Sequence, residues 1–295
     1  MKKTQIVTHL MPPELEDYGD MLLQLEKSSK YLDEYDWISL KATLNLSPTL
    51  INWDKSEYNK EFFINYFNDL KNKITWANEV IFEVIEDNSI LGTTAQKRET
   101  IKGNYDQFIF LDGDMIFHPM TLKCILDISN QTKGYYFITP QIVRLWDTSW
   151  DILVHKDFKH IEPKKNGYYR EHHPDMTLSQ TPENLTVSIA PYFKFGCGWF
   201  TLYSKKILNL IGIPQSFGGY GPEDTFLMYG SEIAKKAGYD VNQYILEGIY
   251  VSENKIYRKN NFNNKIVYND FKDNFRKEAW GHFDNELNKI KQTML

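Results

Sequence analysis

The chain has 295 residues, 42% of them hydrophobic and 15% aromatic, enough to fill the core of one large domain or two modest ones. Its 34 Lys and Arg against 39 Asp and Glu give a formal charge of -5, with no basic run of the kind that draws a protein onto nucleic acid nonspecifically. Apolar runs fall short of the roughly 18 residues needed to span a bilayer, and the amino terminus is too polar for a signal peptide. A soluble, cytoplasmic chain without a transmembrane segment is therefore expected. Cys124 and Cys197, far apart in apolar settings, read as free buried thiols rather than a disulfide or a zinc site.

QIVTHL (5–10) reads as a strand halted by Pro12-Pro13, after which Leu15, Tyr18, Leu22 and Leu25 recur at helical spacing. WISLKATLNL (37–46) predicts a strand, EFFINYFNDLKNKI (61–74) an amphipathic helix and EVIFEVIE (79–86) a buried strand. GTTAQKRETIKG (92–103) predicts a helix ending at Gly103, and QFIFL (107–111) a further strand. HPMTLKCILDISN and GYYFITPQIV continue as helix and strand. From Arg144 to about Ala190 the chain is irregular, polar and aromatic, and a segment of that length is expected to be functional. FGCGWFTLYSKKILNLIG then gives strand and helix, GGYGPEDTFLMYGSEIAKKAG a helix, and QYILEGIYVS a strand, before an Asn- and Lys-rich tail with one or two helices. This alternation implies an α/β fold, a mostly parallel sheet with helices on both faces, whose ligands gather beyond the carboxyl ends of the strands.

Asp112 and Asp114 lie at such an end, in FLDGDMIF. In an extended segment residues i and i+2 share a side, so both carboxylates are expected to face one pocket, with Gly113 leaving the space between them open. Paired anions need a cation, and oxygen donors suit Mg2+ or Mn2+ with positions left for phosphate oxygens. An isolated D-x-D also fits a solvated turn. In SFGGYGPEDTF, Gly218, Gly219 and Gly221 permit a close-approaching backbone, Pro222 suits the start of a helix, and Glu223 and Asp224 fall in its first turn. Each cluster alone has a structural explanation, but the two together point to a site.

The order of LDGDMIF after an apolar strand, then GCGWFTLYSKKIL, then FGGYGPED and an amphipathic helix resembles glycosyltransferases of the GT-A type. The branch it is most similar to carries D-x-D and G-x-G-x-E-D motifs, as in galactosyl- and N-acetylgalactosaminyltransferases. The resemblance covers about residues 4 to 253. It implies a GT-A, Rossmann-like sheet over 1–253, with a nucleotide-binding half (1–143), an irregular acceptor-binding part (144–253) and a helical C-terminal tail (254–295). It further implies a UDP-sugar donor, Asp114 on the metal, Asp112 on the ribose or a metal-bound water, Asp224 as general base, and Glu223 orienting acceptor or sugar. The physical requirements agree: a leaving diphosphate needs its charge stabilised and the acceptor hydroxyl needs a base on the opposite face of the sugar, which inverts the anomeric centre.

By the same resemblance Thr8, His9 and Leu10 at the end of the first strand, and Asn45 at the end of the second, are expected near the base. Lys97 and Arg98 are candidates for the diphosphate, although an exposed helical charge pair explains them equally, and Trp199 can stack on a sugar or serve the core. The family's third metal ligand, a histidine after the last core strand, is replaced here by Glu253 and Asn254. His282 is the one histidine downstream, with His118 and the pair His172-His173 as further candidates. Acceptors compatible with Trp146, Trp150, Lys164, Lys165, Tyr168, Tyr169 and Arg170 are a glycan, a lipid-linked sugar, a protein side chain or a modified nucleobase. The alternatives are a nucleotidyltransferase, which would need a glycine-rich phosphate loop that HLMPPELEDYG lacks, and a noncatalytic carbohydrate- or nucleotide-binding module.

Overall fold

Seven of the eight residues in the first strand are buried, so it sits inside a sheet covered on both faces. The computed structural model describes residues 2–46, 59–86, 92–144, 170–171, 185–190, 199–253 and 265–295. In chain order these form β1 (Lys3–Leu10), α1 (Leu15–Ser29), β2 (Trp37–Asn45), α2 (Lys60–Lys73), β3 (Glu79–Ile85), α3 (Gly92–Thr100), β4 (Gln107–Leu111), β5 (Met115–Phe117) and α4 (Thr121–Gln131). There follow β6 (Tyr135–Arg144), β7 (Arg170–Glu171), β8 (Thr186–Ile189), β9 (Phe200–Ser204), α5 (Lys205–Ile211), α6 (Glu223–Lys236), β10 (Val241–Glu253) and α7 (Lys265–Met294).

The sheet runs β3-β2-β1-β4-β9-β6-β10-β5, with β7 beside β6 and β8 beside β10. Pairings β1 with β2, β2 with β3, β1 with β4 and β6 with β10 are parallel, as the alternation of strands and helices implies. The sheet is nonetheless mixed. β9 enters antiparallel between β4 and β6, and β5 and β8 lie antiparallel against β10. Strand direction leaves no trace in hydrophobic periodicity, so this insertion is not readable from the residues.

Side-chain alternation splits the core. Ile109 and Leu111 of β4 join Ile6 and Leu10 of β1, Tyr18 of α1, Phe63 and Phe67 of α2, and Leu122 and Ile125 of α4 on one face. Phe108 and Phe110 join Val7, Tyr203, Ile207 of α5 and Leu227 of α6 on the other. Local signals set the helix ends: the Asn59 side chain accepts from the Phe62 N–H at 2.9 Å to start α2, and α5 stops at Gly212, whose φ of 73° suits a residue without a Cβ.

Residues 265–294, expected as part of a tail, are one helix packed onto the domain. Ala279, Phe283, Leu287 and Ile290 recur at helical spacing and bury themselves against Phe217, Phe226 and Ile233. Among the described residues no helix is long and apolar enough to cross a membrane. Cys124 is a free, buried thiol, and Cys197 lies outside the described residues.

Candidate active site

Where β4 ends, Asp112 follows Leu111 and the Asp112 N–H donates to the Trp199 carbonyl at 2.9 Å, tying the motif to the residue just before β9. Residues 113 and 114 form a turn into β5 rather than an extended strand. The two carboxylates consequently differ: the Asp112 side chain is 38% exposed, whereas Asp114 is buried. Gly113 has a different task from the one expected. A Cβ there would come within 2.8 Å of both the His9 carbonyl oxygen and the Tyr18 ring, so the turn packs directly on β1 and α1.

Asp112 shares a sheet face with Phe108 and Phe110, the face covered by α3. From α3 comes Lys97, which is buried, with Nζ 3.7 Å from Asp112 Oδ1 and 5.5 Å from the centre of the Phe110 ring. The same ammonium donates to Glu223 Oε1 at 2.7 Å. Burial works against the charge on Lys97, yet Glu223, Asp112 and Asp224 together raise its pKa above the ordinary lysine value. The acidic ends of β4 and α6 are thus joined by one lysine.

Thr94, one turn before Lys97, completes the junction. Its hydroxyl donates to Glu223 Oε2 at 2.9 Å and accepts from the Gly221 N–H at 2.9 Å, while its own N–H donates to the Gly219 carbonyl at 2.9 Å. Glu223 therefore has both oxygens occupied and serves as an anchor for the turn. Asp224, partly buried, accepts from the Thr225 N–H at 2.6 Å. Its carboxyl is pushed up from 3.8 to about 6, first by burial and then by the Glu223 charge, with Lys97 and the Thr225 N–H opposing.

Other candidates occupy distinct places. Arg98 donates to the carbonyls of Ile213, Pro214 and Gly218 at 3.0, 2.6 and 3.1 Å. Expected at the diphosphate, it instead clamps the loop leading to Glu223 and Asp224. Thr8 and Leu10 are buried on the α1 face. His9 is buried with Nδ1 2.6 Å from the Thr43 hydroxyl, and burial followed by the charges of Lys97 and Lys41 holds it well below the usual histidine range. Asn45, the last residue of β2, is buried as well, and Trp199 is partly buried against the α1-side core. The Gly221 position is tight because α7 is there: a Cβ would lie 2.9 Å from that of Ala279.

Of the proposed third metal ligands, His282 is exposed on α7, off the face that packs on α6, with Glu286 as its charged neighbour. Among the described residues no three His, Cys, Asp or Glu are grouped to hold a metal ion. His118 Nδ1 accepts from the Met120 N–H at 3.1 Å. Glu253 pairs through its backbone with Met115, one residue beyond Asp114. Asn254, His172, His173, Trp146, Trp150, Lys164, Lys165, Tyr168 and Tyr169 lie outside the described residues, and Arg170 is described by its backbone alone.

Two residues at the site escaped the sequence reading. Arg276 of α7 lies 5.5 Å over the Tyr220 ring, donates to its hydroxyl at 3.2 Å, and is near enough to Asp224 for that charge to favour its own. No local pattern connects position 276 to position 224. Thr94 was within reach, since it stands at helical spacing from Lys97.

No protein-family model matches the chain, and no curated protein matches it in sequence. Among solved structures, S. aureus TarS 1-349 in complex with UDP-GlcNAc is similar at a TM-score of 0.48 and 12% identity, over 88% of this chain and 61% of that one. GalNAc-T7 with UDP, GalNAc and Mn2+ is similar at a TM-score of 0.46 and 11% identity, over 86% of this chain and 44% of that one. This chain thus covers less than two thirds of either. Likeness at this distance carries no functional argument, which rests on the residues at the β4 and α6 ends.

Proposed function

We propose that the chain is a GT-A type glycosyltransferase that moves a sugar from a UDP-sugar to an acceptor hydroxyl with inversion, using a divalent metal ion. The observation that carries this reading is the junction at Lys97, which brings the D-x-D turn and the E-D helix start, far apart in sequence, to one place beyond the carboxyl end of β4.

What supports a divalent cation is the charge and donor chemistry of the D-x-D carboxylates. Asp112, Glu223 and Asp224 stand around Lys97, with Arg98 and Arg276 as the other cations facing them, and since Glu223 has both oxygens taken, the D-x-D carboxylates are the oxygen donors that suit Mg2+ or Mn2+. Asp112 and Asp114 would hold the ion, and such ions commonly take their remaining ligands from water and substrate phosphates. When bound, it would supply charge stabilisation to the departing diphosphate.

The chain's own residues do the rest. Asp224, with a carboxyl near 6, is ionised at neutral pH yet basic enough to accept the acceptor hydroxyl proton. As that proton passes to Asp224, the acceptor oxygen forms its bond to the anomeric carbon and the bond from that carbon to the diphosphate oxygen breaks, releasing UDP. Glu223, locked by Lys97 and Thr94, fixes the first turn of α6 and so the position of the base. Lys97 keeps the acidic junction from repelling itself apart.

The test is UDP-sugar turnover with and without Mn2+. Asp114→Ala is expected to abolish Mn2+-dependent UDP binding, read by thermal shift. Asp224→Asn is expected to retain that binding and to lose turnover by at least about a hundredfold. Parental turnover by the Asn variant would remove Asp224 from its role and the inverting mechanism with it.

A further inference from the structure

Between α6 and α7 lies an open groove of about 580 Å³ that the proposed chemistry does not use. Tyr229 of α6 and Trp280 of α7 line it with 45% and 46% of their surfaces exposed. Both are braced by Phe283, which is buried: Tyr229 meets that ring edge-on at 6.0 Å, and Trp280 lies 4.6 Å from it at a tilt of 37°. Charged groups stand among the rings, Glu232 and Lys236 on α6 and Asp284 and Lys291 on α7. Exposed rings held rigid by a buried one, with hydrogen-bonding groups beside them, match a sugar: its C–H face covers an aromatic ring while its hydroxyls meet carboxylates and ammonium groups.

One end of the groove reaches the residue that follows Asp224 in the chain. Thr225 lines it, and the Thr225 N–H is the donor to Asp224 Oδ1. On α7, Arg276 stands one turn before Trp280 and bonds to Tyr220, four residues from Asp224. From Thr225 to Lys236 the α6 wall extends roughly 16 Å at about 1.5 Å per residue, long enough for more than a single sugar ring.

We propose that this groove binds the non-reacting sugars of an oligosaccharide acceptor, laid along the seam of α6 and α7 so that its terminal hydroxyl meets Asp224. The role as acceptor site rests on the transferase reading; the binding of a glycan does not.

The full chain, without donor or metal, is applied to an array of defined immobilised oligosaccharides. Capture is expected on a subset of them, with Trp280→Ala combined with Tyr229→Ala lowering it about tenfold and Trp280→Phe, which keeps a ring, restoring most of it. Unchanged melting of the alanine variant shows that the loss is not unfolding, and if that variant does not fold, the comparison of Trp280→Phe with Trp280→Leu takes its place. In turnover, the KM for the captured oligosaccharide is expected to rise in the same variant while the KM for UDP-sugar stays put. No capture at all, capture indifferent to both rings, or a parent that sediments as a dimer and dissociates with Trp280→Ala would each overturn the proposal, the last by assigning the groove to a second copy of this chain. Ring-dependent capture by a protein that turns over no UDP-sugar would sink the transferase reading and leave the glycan site standing.

Discussion

Lys97 donates to Glu223 at 2.7 Å across 126 residues of chain, and the same ammonium lies 3.7 Å from Asp112. With the lysine side chain 5% exposed and that of Glu223 9%, little water is available to replace either partner. Lys97→Met is therefore expected to destabilise the fold by about 3–5 kcal/mol, because it leaves the buried Glu223 charge without its cation. Adding Glu223→Gln should return much of that loss. Urea unfolding of both variants and of Glu223→Gln alone checks these numbers, and a double-variant loss equal to the sum of the two single losses would show that the pair is not coupled.

Asp224 is predicted to trade stability for activity. Its folded value of about 6 exceeds the ordinary 3.8, so the folded state takes up a proton more readily than the unfolded chain. The group then costs the fold nothing below pH 4 and its full penalty above pH 6. Asp224→Asn should be more stable than the parent at pH 8 by about 1–3 kcal/mol, and this margin should close as the pH falls from 6 to 4. In the parent, kcat/KM should climb with pH through about 6, as a base that must be ionised requires.

Gly113→Ala should be poorly tolerated. The added methyl would meet the His9 carbonyl at 2.8 Å, and a backbone atom in the middle of a parallel sheet cannot step aside. A loss of about 1–3 kcal/mol is expected, together with weaker UDP binding because the D-x-D turn must shift. Thermal melts with and without UDP separate the two effects.

Chelation by EDTA is expected to halt UDP-sugar turnover and to remove the thermal shift produced by UDP, and Mn2+ should restore both. Since Lys97 rather than the ion pairs with Glu223, the melting temperature without nucleotide should hardly respond to EDTA. A large drop would mean that the ion also holds the fold together.

Much of this arrangement was legible in the residues because burial on both faces of a strand and amphipathicity in a helix are written locally. The strands ending at Leu10, Asn45 and Leu111, and the helix opening at Glu223, emerge where hydrophobic runs and glycines place them. A shared site for the two acidic motifs is what the family resemblance implies, with Asp114 and Asp224 facing each other; the described contact is instead Lys97 between Asp112 and Glu223. What stayed hidden was relational. That Gly113 packs against His9, that Arg98 spends its donors on the 213–218 loop, and that α7 delivers Arg276 to Tyr220 are contacts between distant segments, and no window of sequence contains them. The extended D-x-D geometry was lost for a related reason: β5 turns back to pair with β10, whose partner residues come more than a hundred positions later.

The antiparallel β9 has a consequence for how the molecule is made. Because it fills the gap between β4 and β6, a ribosome that has released everything through Arg144 has produced two strands that lack a common neighbour. Until Phe200–Ser204 emerges, β4 presents an unpaired apolar margin, the kind of edge to which another chain adheres. A fragment ending before that strand should accordingly precipitate rather than behave as a small nucleotide-binding protein, and dissection of this domain has to respect the weave of its sheet over the order of its motifs.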